Sequence, residues 1–217
     1  MAYNIAVEDE DLQTFFTLPS PPLLPDPQVP PTFLSTIASK DATDLDTFQF
    51  LRMMELAMAR APMEESAVDD LVSALLRAMH YVDMSKVVRT RKNLTFIVCG
   101  NTVHAQTDVC LMDSSGILLL VQEDKGHNEE KDPEPQLIAE AIAAFYYNNF
   151  HRVRRMRLPA CRSHTFAGIT MEGATPTFYK IPVTEQLEQC VQTGMYPTVP
   201  TIIKRKSSLV GAEESVG

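Results

Sequence analysis

Residues 117–127 read ILLLVQEDKGH: an apolar run, one glutamine, then Glu123, Asp124 and Lys125. A short apolar run bounded by turn signals suits a strand buried on both faces. The signal upstream is DSSG at residues 113–116, and downstream the chain turns polar. Side chains alternate along a strand, so the reading places Glu123 and Lys125 on one face and Asp124 on the other.

Upstream, residues 94–99 and 102–112 read as two further strands across a Gly100-Asn101 turn. A hairpin closed at residues 113–116 pairs positions whose numbers sum to about 229. Asp108 then stands opposite Val121 and diagonal to Glu123, and Asp108, Glu123 and Lys125 share a face. Diagonal neighbours lie roughly 7 Å apart, within reach of a common ion. Two such carboxylates repel, and either a proton or a divalent cation resolves the conflict. Oxygen ligands alone favour Mg2+ or Mn2+ over zinc, and Mg2+ takes phosphate oxygens from its substrate. A lysine beside that ion orients water and balances transition-state charge, so the expected chemistry is phosphodiester hydrolysis.

Residues 1–43 contain LPSPPLLPDPQVPP and read as a Pro-rich extended arm. Residues 44–60 and 64–82 show apolar spacing of three and four and predict two amphipathic helices, broken near Pro62. Residues 135–150 predict a long helix with Leu137, Ile138, Ala141, Ile142 and Phe145 on one side. Residues 166–171 and 177–183 form a hairpin, and a short helix starts at Thr184. The expectation is a domain over 44–203, a polar tail over 204–217, and an α+β fold with a mixed, mainly antiparallel central sheet flanked by helices.

The 217 residues carry a net charge of -9, unevenly spread. Residues 1–83 hold 14 acids and 4 bases, and residues 84–217 hold 14 acids and 15 bases. Basic clusters fall at Lys86, Arg89, Arg91 and Lys92, at Arg152, Arg154, Arg155 and Arg157, and at Lys204, Arg205 and Lys206. They permit a polyanionic partner without indicating one. No apolar run approaches the roughly 20 residues that cross a bilayer, and the acidic start lacks a secretory pattern, so an intracellular protein with no membrane partner is expected. Cys99, Cys110, Cys161 and Cys190 form no CxxC pair and read as buried reduced thiols.

An Asp on one strand, Glu-x-Lys closing the next, and a helix after them, in helix-strand-strand-strand-helix-strand order, resemble the PD-(D/E)XK superfamily of restriction-endonuclease-like nucleases. The run VQEDKGHNEEKDPEPQLIAEAIAAF is similar to uncharacterised fungal proteins of that fold. The resemblance spans roughly residues 44–192. It implies a restriction-endonuclease-like core in which Asp108 and Glu123 are metal-binding carboxylates, the Asp124 carbonyl is a further ligand, and Lys125 is the catalytic lysine. Gln136 matches the helix glutamine of RecB-like and Crinkler members. Glu55 and Glu65 are first-helix acids of the kind some members add. Thr107 stands where the family name has Pro, and Glu140 where the RecB-like pattern has Tyr. Nucleic acid, DNA or RNA, is the implied substrate, and a homodimer follows family habit.

A solvated, salt-bridged strand end is the plain alternative for Glu123 and Lys125. Asp113 reads as a turn cap, His127 as an exposed loop residue, and His104 as part of a polar strand face. Glu129, Glu130, Asp132 and Glu134 follow the site and repel a phosphate backbone. Two other readings therefore stand beside a nuclease: an inactive domain of the same fold serving as an interaction module, and a hydrolase of a small phosphorylated substrate.

Overall fold

Val109 and Val121 face each other across two antiparallel strands and anchor the centre of the fold. The computed structural model describes residues 2–17, 30–59, 66–123 and 132–207, with Ala2 and Glu123 described in their backbone only. In chain order the elements are β1 (Ile5–Asp9), α1 (Leu12–Phe15), α2 (Pro31–Ser35), α3 (Leu45–Met58), α4 (Ala67–Ala78), β2 (Val87–Val98), β3 (Asn101–Met112), β4 (Ile117–Glu123), α5 (Pro133–Arg154), β5 (Ser163–Glu172), β6 (Thr175–Thr184), α6 (Glu185–Thr193) and β7 (Thr201–Ser207). The architecture is α+β, a seven-stranded mixed sheet in the order β1-β7-β6-β5-β4-β3-β2 flanked by helices. β4/β5 and β1/β7 pair in parallel and the remaining neighbours antiparallel. The parallel β4/β5 step requires a crossover, and α5 supplies it.

Local chemistry sets the element ends. Asp44 caps α3 through the Thr47 amide, and Thr184 caps α6 through the Leu187 amide. Pro133 opens α5 at a position where its missing N–H costs nothing. Gly194 ends α6 in the left-handed region, at φ 74°. The β2–β3 turn lies one residue earlier than the sequence suggests. Val98 pairs with Asn101, so Cys99 and Gly100 make the turn, both at positive φ.

Two apolar clusters cover the two faces of the sheet. On one, Leu137, Ala141, Ala144 and Phe145 of α5 pack on Cys110, Leu120, Phe166 and Ile181. On the other, Val68, Val72 and Leu76 of α4 pack on Val109, Val121 and Met171. Each large apolar side chain so buried contributes about 1.5–3 kcal/mol. Gly168 lies under α5 where a side chain would not fit: a Cβ there would lie 2.9 Å from Ile181 Cδ1 and 3.0 Å from Leu137 Cδ2.

Three expectations need correction. First, the 229 register holds only beside the turn, where Met112 pairs with Ile117. From there the partners jump to Leu111 with Leu119, leaving Leu118 as an extra residue. Val109, and not Asp108, therefore stands opposite Val121, and the expected shared face fails. Asp108 falls on the α5 face with Cys110 and Leu120, and the Glu123 position falls on the α4 face with Val121 and Met171, while Lys125 lies outside the described residues. Second, the sheet reaches into both presumed tails. Ile5–Asp9 of the expected arm pairs with Thr201–Arg205, and β7 runs through Lys204 to Ser207. Third, only Cys110 and Cys190 are buried; all four cysteines are free, and Cys99 and Cys161 are exposed.

Candidate active site

The bulge decides what Asp108 meets. Continued one step past Val109 and Val121, the register sets Asp108 beside Gln122, and Gln122 Nε2 donates to Asp108 Oδ2 at 2.6 Å. Both lie on the α5 side, since Cys110 and Leu120, two residues along each strand, belong to the α5 cluster. Gln122 is only 1 % exposed. Burying such an amide costs free energy unless it is paired, and the charged acceptor offsets that cost on its donor end.

The helix brings a second carboxylate. Glu140 lies on the buried stripe of α5 with Leu137, Ala141 and Ala144 and is 1 % exposed. Gln136, one turn earlier and itself exposed, donates Nε2 to Glu140 Oε1 at 3.2 Å. Burial pushes the Glu140 carboxyl up to about 8; the Gln136 amide pulls it down, and the negative charge of Asp108 pushes it further up. At neutral pH the buried group is mostly protonated. Among the described residues neither Glu140 Oε2 nor Gln122 Oε1 has a hydrogen-bond partner. Where the end of β4 meets β3 and α5, Asp108 thus lies with two buried oxygens, Gln122 Oε1 and Glu140 Oε2, of the hard kind that Mg2+ and Mn2+ accept.

Of the sequence-derived residues, the structure brings together Asp108, with Gln122, and Gln136, with Glu140. Glu123 holds the β4 position paired with Met171 of β5; its side chain, Asp124, Lys125, Glu65 and His127 lie outside the described residues. Glu55 serves α3 and its neighbour: Oε1 and Oε2 accept from the Ser39 amide and hydroxyl, each at 2.8 Å, and Arg52 pairs with it at 3.1 Å. Asp113 caps its turn, accepting from Ser115 N at 2.7 Å and Gly116 N at 3.0 Å. His104 Nδ1 meets Thr95 Oγ1 at 3.0 Å across β2 and β3.

Sequence reasoning passed over three residues. Glu140 registered only as a departure from a pattern, although an acid on the apolar stripe of a helix is a direct sign of a buried carboxylate. Gln122 has no place beside Asp108 in a regular 229 register, and only the bulge at Leu118 brings it there. Asp69, buried at 7 % exposure in the first turn of α4 beside Val68 and Val72, is the buried acid of the helix before the three strands. Among the described residues no group of three or more His, Cys, Asp or Glu is placed to hold a metal ion. No helix there is long and apolar enough to cross a membrane. No protein-family model matches the chain, and comparison with curated proteins gives no match.

Proposed function

We propose that the chain is a Mg2+- or Mn2+-dependent nuclease with a restriction-endonuclease-like core, hydrolysing phosphodiester bonds of DNA or RNA. The observation that carries this reading is the setting of Asp108, held by Gln122 on the α5 side of the sheet near the buried Glu140, with no hydrogen-bond partner among the described residues for Gln122 Oε1 or Glu140 Oε2. The order α4-β2-β3-β4-α5-β5, with a helical crossover between parallel β4 and β5, agrees with that core.

In this reading Asp108, Glu123 and the Asp124 carbonyl hold the cation. That requires the end of β4 to turn the Glu123 carboxylate toward Asp108, because strand alternation sets the Glu123 position on the α4 face and Asp108 on the α5 face. The donor set fits a hard divalent ion, which when bound neutralises phosphate charge and lowers the pKa of coordinated water. Gln122 fixes the Asp108 carboxylate through its 2.6 Å bond, Gln136 fixes Glu140, and Lys125 orients the attacking water and balances charge on the phosphorane-like state. The test incubates the protein with single- and double-stranded DNA and RNA in Mg2+ or Mn2+. Cleavage that disappears in Asp108→Ala, Glu123→Ala and Lys125→Ala supports the reading; cleavage unchanged in all three contradicts it.

A second reading, an inactive domain of this fold serving as an interaction module, is favoured by Glu129, Glu130 and Asp132, acids that follow Lys125 in the sequence and add negative charge unfavourable to a polyanion, whereas Glu134 is buried and neutralised by Arg205. Binding of an oligonucleotide or protein without turnover under any divalent cation separates it from the first.

A further inference from the structure

The three basic clusters differ in what they meet. Lys204 and Arg205 on β7 are neutralised by β1 and α5: Lys204 pairs with Glu8 of β1 at 2.8 Å, and Arg205 grips Asp9 of β1 at 2.8 and 3.0 Å and Glu134 of α5 at 3.0 Å. Lys86 pairs with Asp83 at 2.8 Å. The segment closing α5, residues 150–162, reads FHRVRRMRLPACR, with five arginines and no acid in a chain of net charge -9. Among the described residues none of those arginines forms an ion pair.

This segment is held in one conformation by its own bonds. Asn149 donates to the Cys161 carbonyl at 3.1 Å and accepts from its amide at 2.7 Å, and Arg152 Nε donates to the Pro159 carbonyl at 2.7 Å. Arg154, Arg155, Arg157 and Arg162 are exposed, interleaved with Phe150 (55 % exposed) and Met156 (37 %). Helical periodicity places Tyr147, His151, Arg154 and Arg155 on the stripe that begins at Glu140. Lys92 of β2 joins that stripe, its Nζ 4.4 Å from the Tyr147 ring centre. From Glu140 to Arg154 the helix rises about 21 Å, the axial span of roughly six phosphates on one strand of a duplex.

We infer that this arginine surface at the end of α5, continued by Lys92, is a docking site for a nucleic-acid phosphate backbone. A backbone fixed by the Asn149–Cys161 and Arg152–Pro159 bonds presents these arginines to phosphate oxygens without the entropy cost of arranging a mobile tail, and the interleaved Phe150 offers a ring for base stacking. The inference takes the identity of its ligand from the nuclease reading, and it is measured apart from catalysis.

The experiment is fluorescence anisotropy with a labelled 20-nucleotide single strand and the corresponding duplex, in EDTA. The variant Arg154→Ala/Arg155→Ala/Arg157→Ala is compared with Lys40→Ala/Arg77→Ala/Lys204→Ala, which removes the same charge elsewhere, and circular dichroism confirms that both are folded. The expected result is a loss of 10-fold or more in affinity for the arginine variant, a salt slope reduced by about 2–3, and less than 3-fold change in the control. Equal loss in both variants, or no loss in the arginine variant, overturns the inference. So does wild-type protein that binds phosphatidylserine vesicles and neither oligonucleotide. Because no divalent cation is present, absence of cleavage elsewhere leaves this result standing, and failure here leaves the hydrolytic reading to its own assay.

Discussion

Gln122 donates its side-chain amide to Asp108 at 2.6 Å, so a strand residue with almost no solvent contact holds the carboxylate of its neighbouring strand. That bond exists because Leu118 is an extra residue in β4: without it Asp108 would face Val121. A single bulge therefore decides which chemistry the end of the sheet carries.

Gln122→Leu tests that bond. It keeps the volume and removes the donor, leaving Asp108 one partner short; the expected loss of stability is about 1.5–3 kcal/mol, read from the urea midpoint. A variant as stable as wild type would mean that Gln122 does not support Asp108.

Glu140 makes stability depend on pH in a defined direction. Its folded-state pKa, about 8, is above the ordinary 4.5, so the unfolded chain releases the proton at lower pH than the folded one. The contribution is fully present below about pH 4.5, is lost as pH rises toward 8, and changes no further above that. Urea unfolding at pH 5 and pH 8 should show wild type losing on the order of 4 kcal/mol more than Glu140→Gln over that interval. Parallel profiles for the two proteins would refute a protonated buried Glu140.

Gly168 leaves no room for a Cβ between the sheet and α5, and Gly168→Ala forces Leu137 and Ile181 to move. Overpacking of this kind costs about 1–3 kcal/mol, expected as a lowered Tm. An unchanged Tm would show that α5 has room to shift.

Asn148 clamps the start of β4, accepting from Ile117 N at 2.8 Å and donating to Ile117 O at 2.9 Å. Asn148→Ala leaves both backbone groups unpaired in a partly buried place, with an expected cost of about 2–4 kcal/mol in chemical denaturation. A cost below about 0.5 kcal/mol would indicate that water replaces the side chain.

Much of the architecture was legible where its causes are local. The period of three and four in Leu71, Leu75 and Leu76, the DSSG turn, and the apolar stripe from Leu137 to Phe145 each depend on neighbours within one or two turns of chain. β1 and β7 were illegible for the opposite reason. Ile5–Asp9 and Lys204–Ser207 are short or strongly polar, and they become strands only through partners almost the whole chain away, Glu8 with Lys204 and Asp9 with Arg205. Of the candidate site, the pairing was misread: Asp108 lies with Gln122, on the face opposite the Glu123 position. A bulge adds one residue without a sequence signature: nothing in ILLLV marks Leu118 as the extra one. Glu140 and Asp69 were visible as acids among apolar neighbours, a sign that shape-based motifs pass over.

The most direct test of metal-dependent chemistry at Asp108 is isothermal titration calorimetry of Mn2+ into the wild-type chain and into Asp108→Asn. The account expects saturable uptake by the wild-type chain, weakened at least 10-fold in Asp108→Asn while the variant keeps its circular dichroism spectrum. No heat of Mn2+ or Mg2+ binding to the wild-type chain, or equal uptake by both proteins, would contradict it.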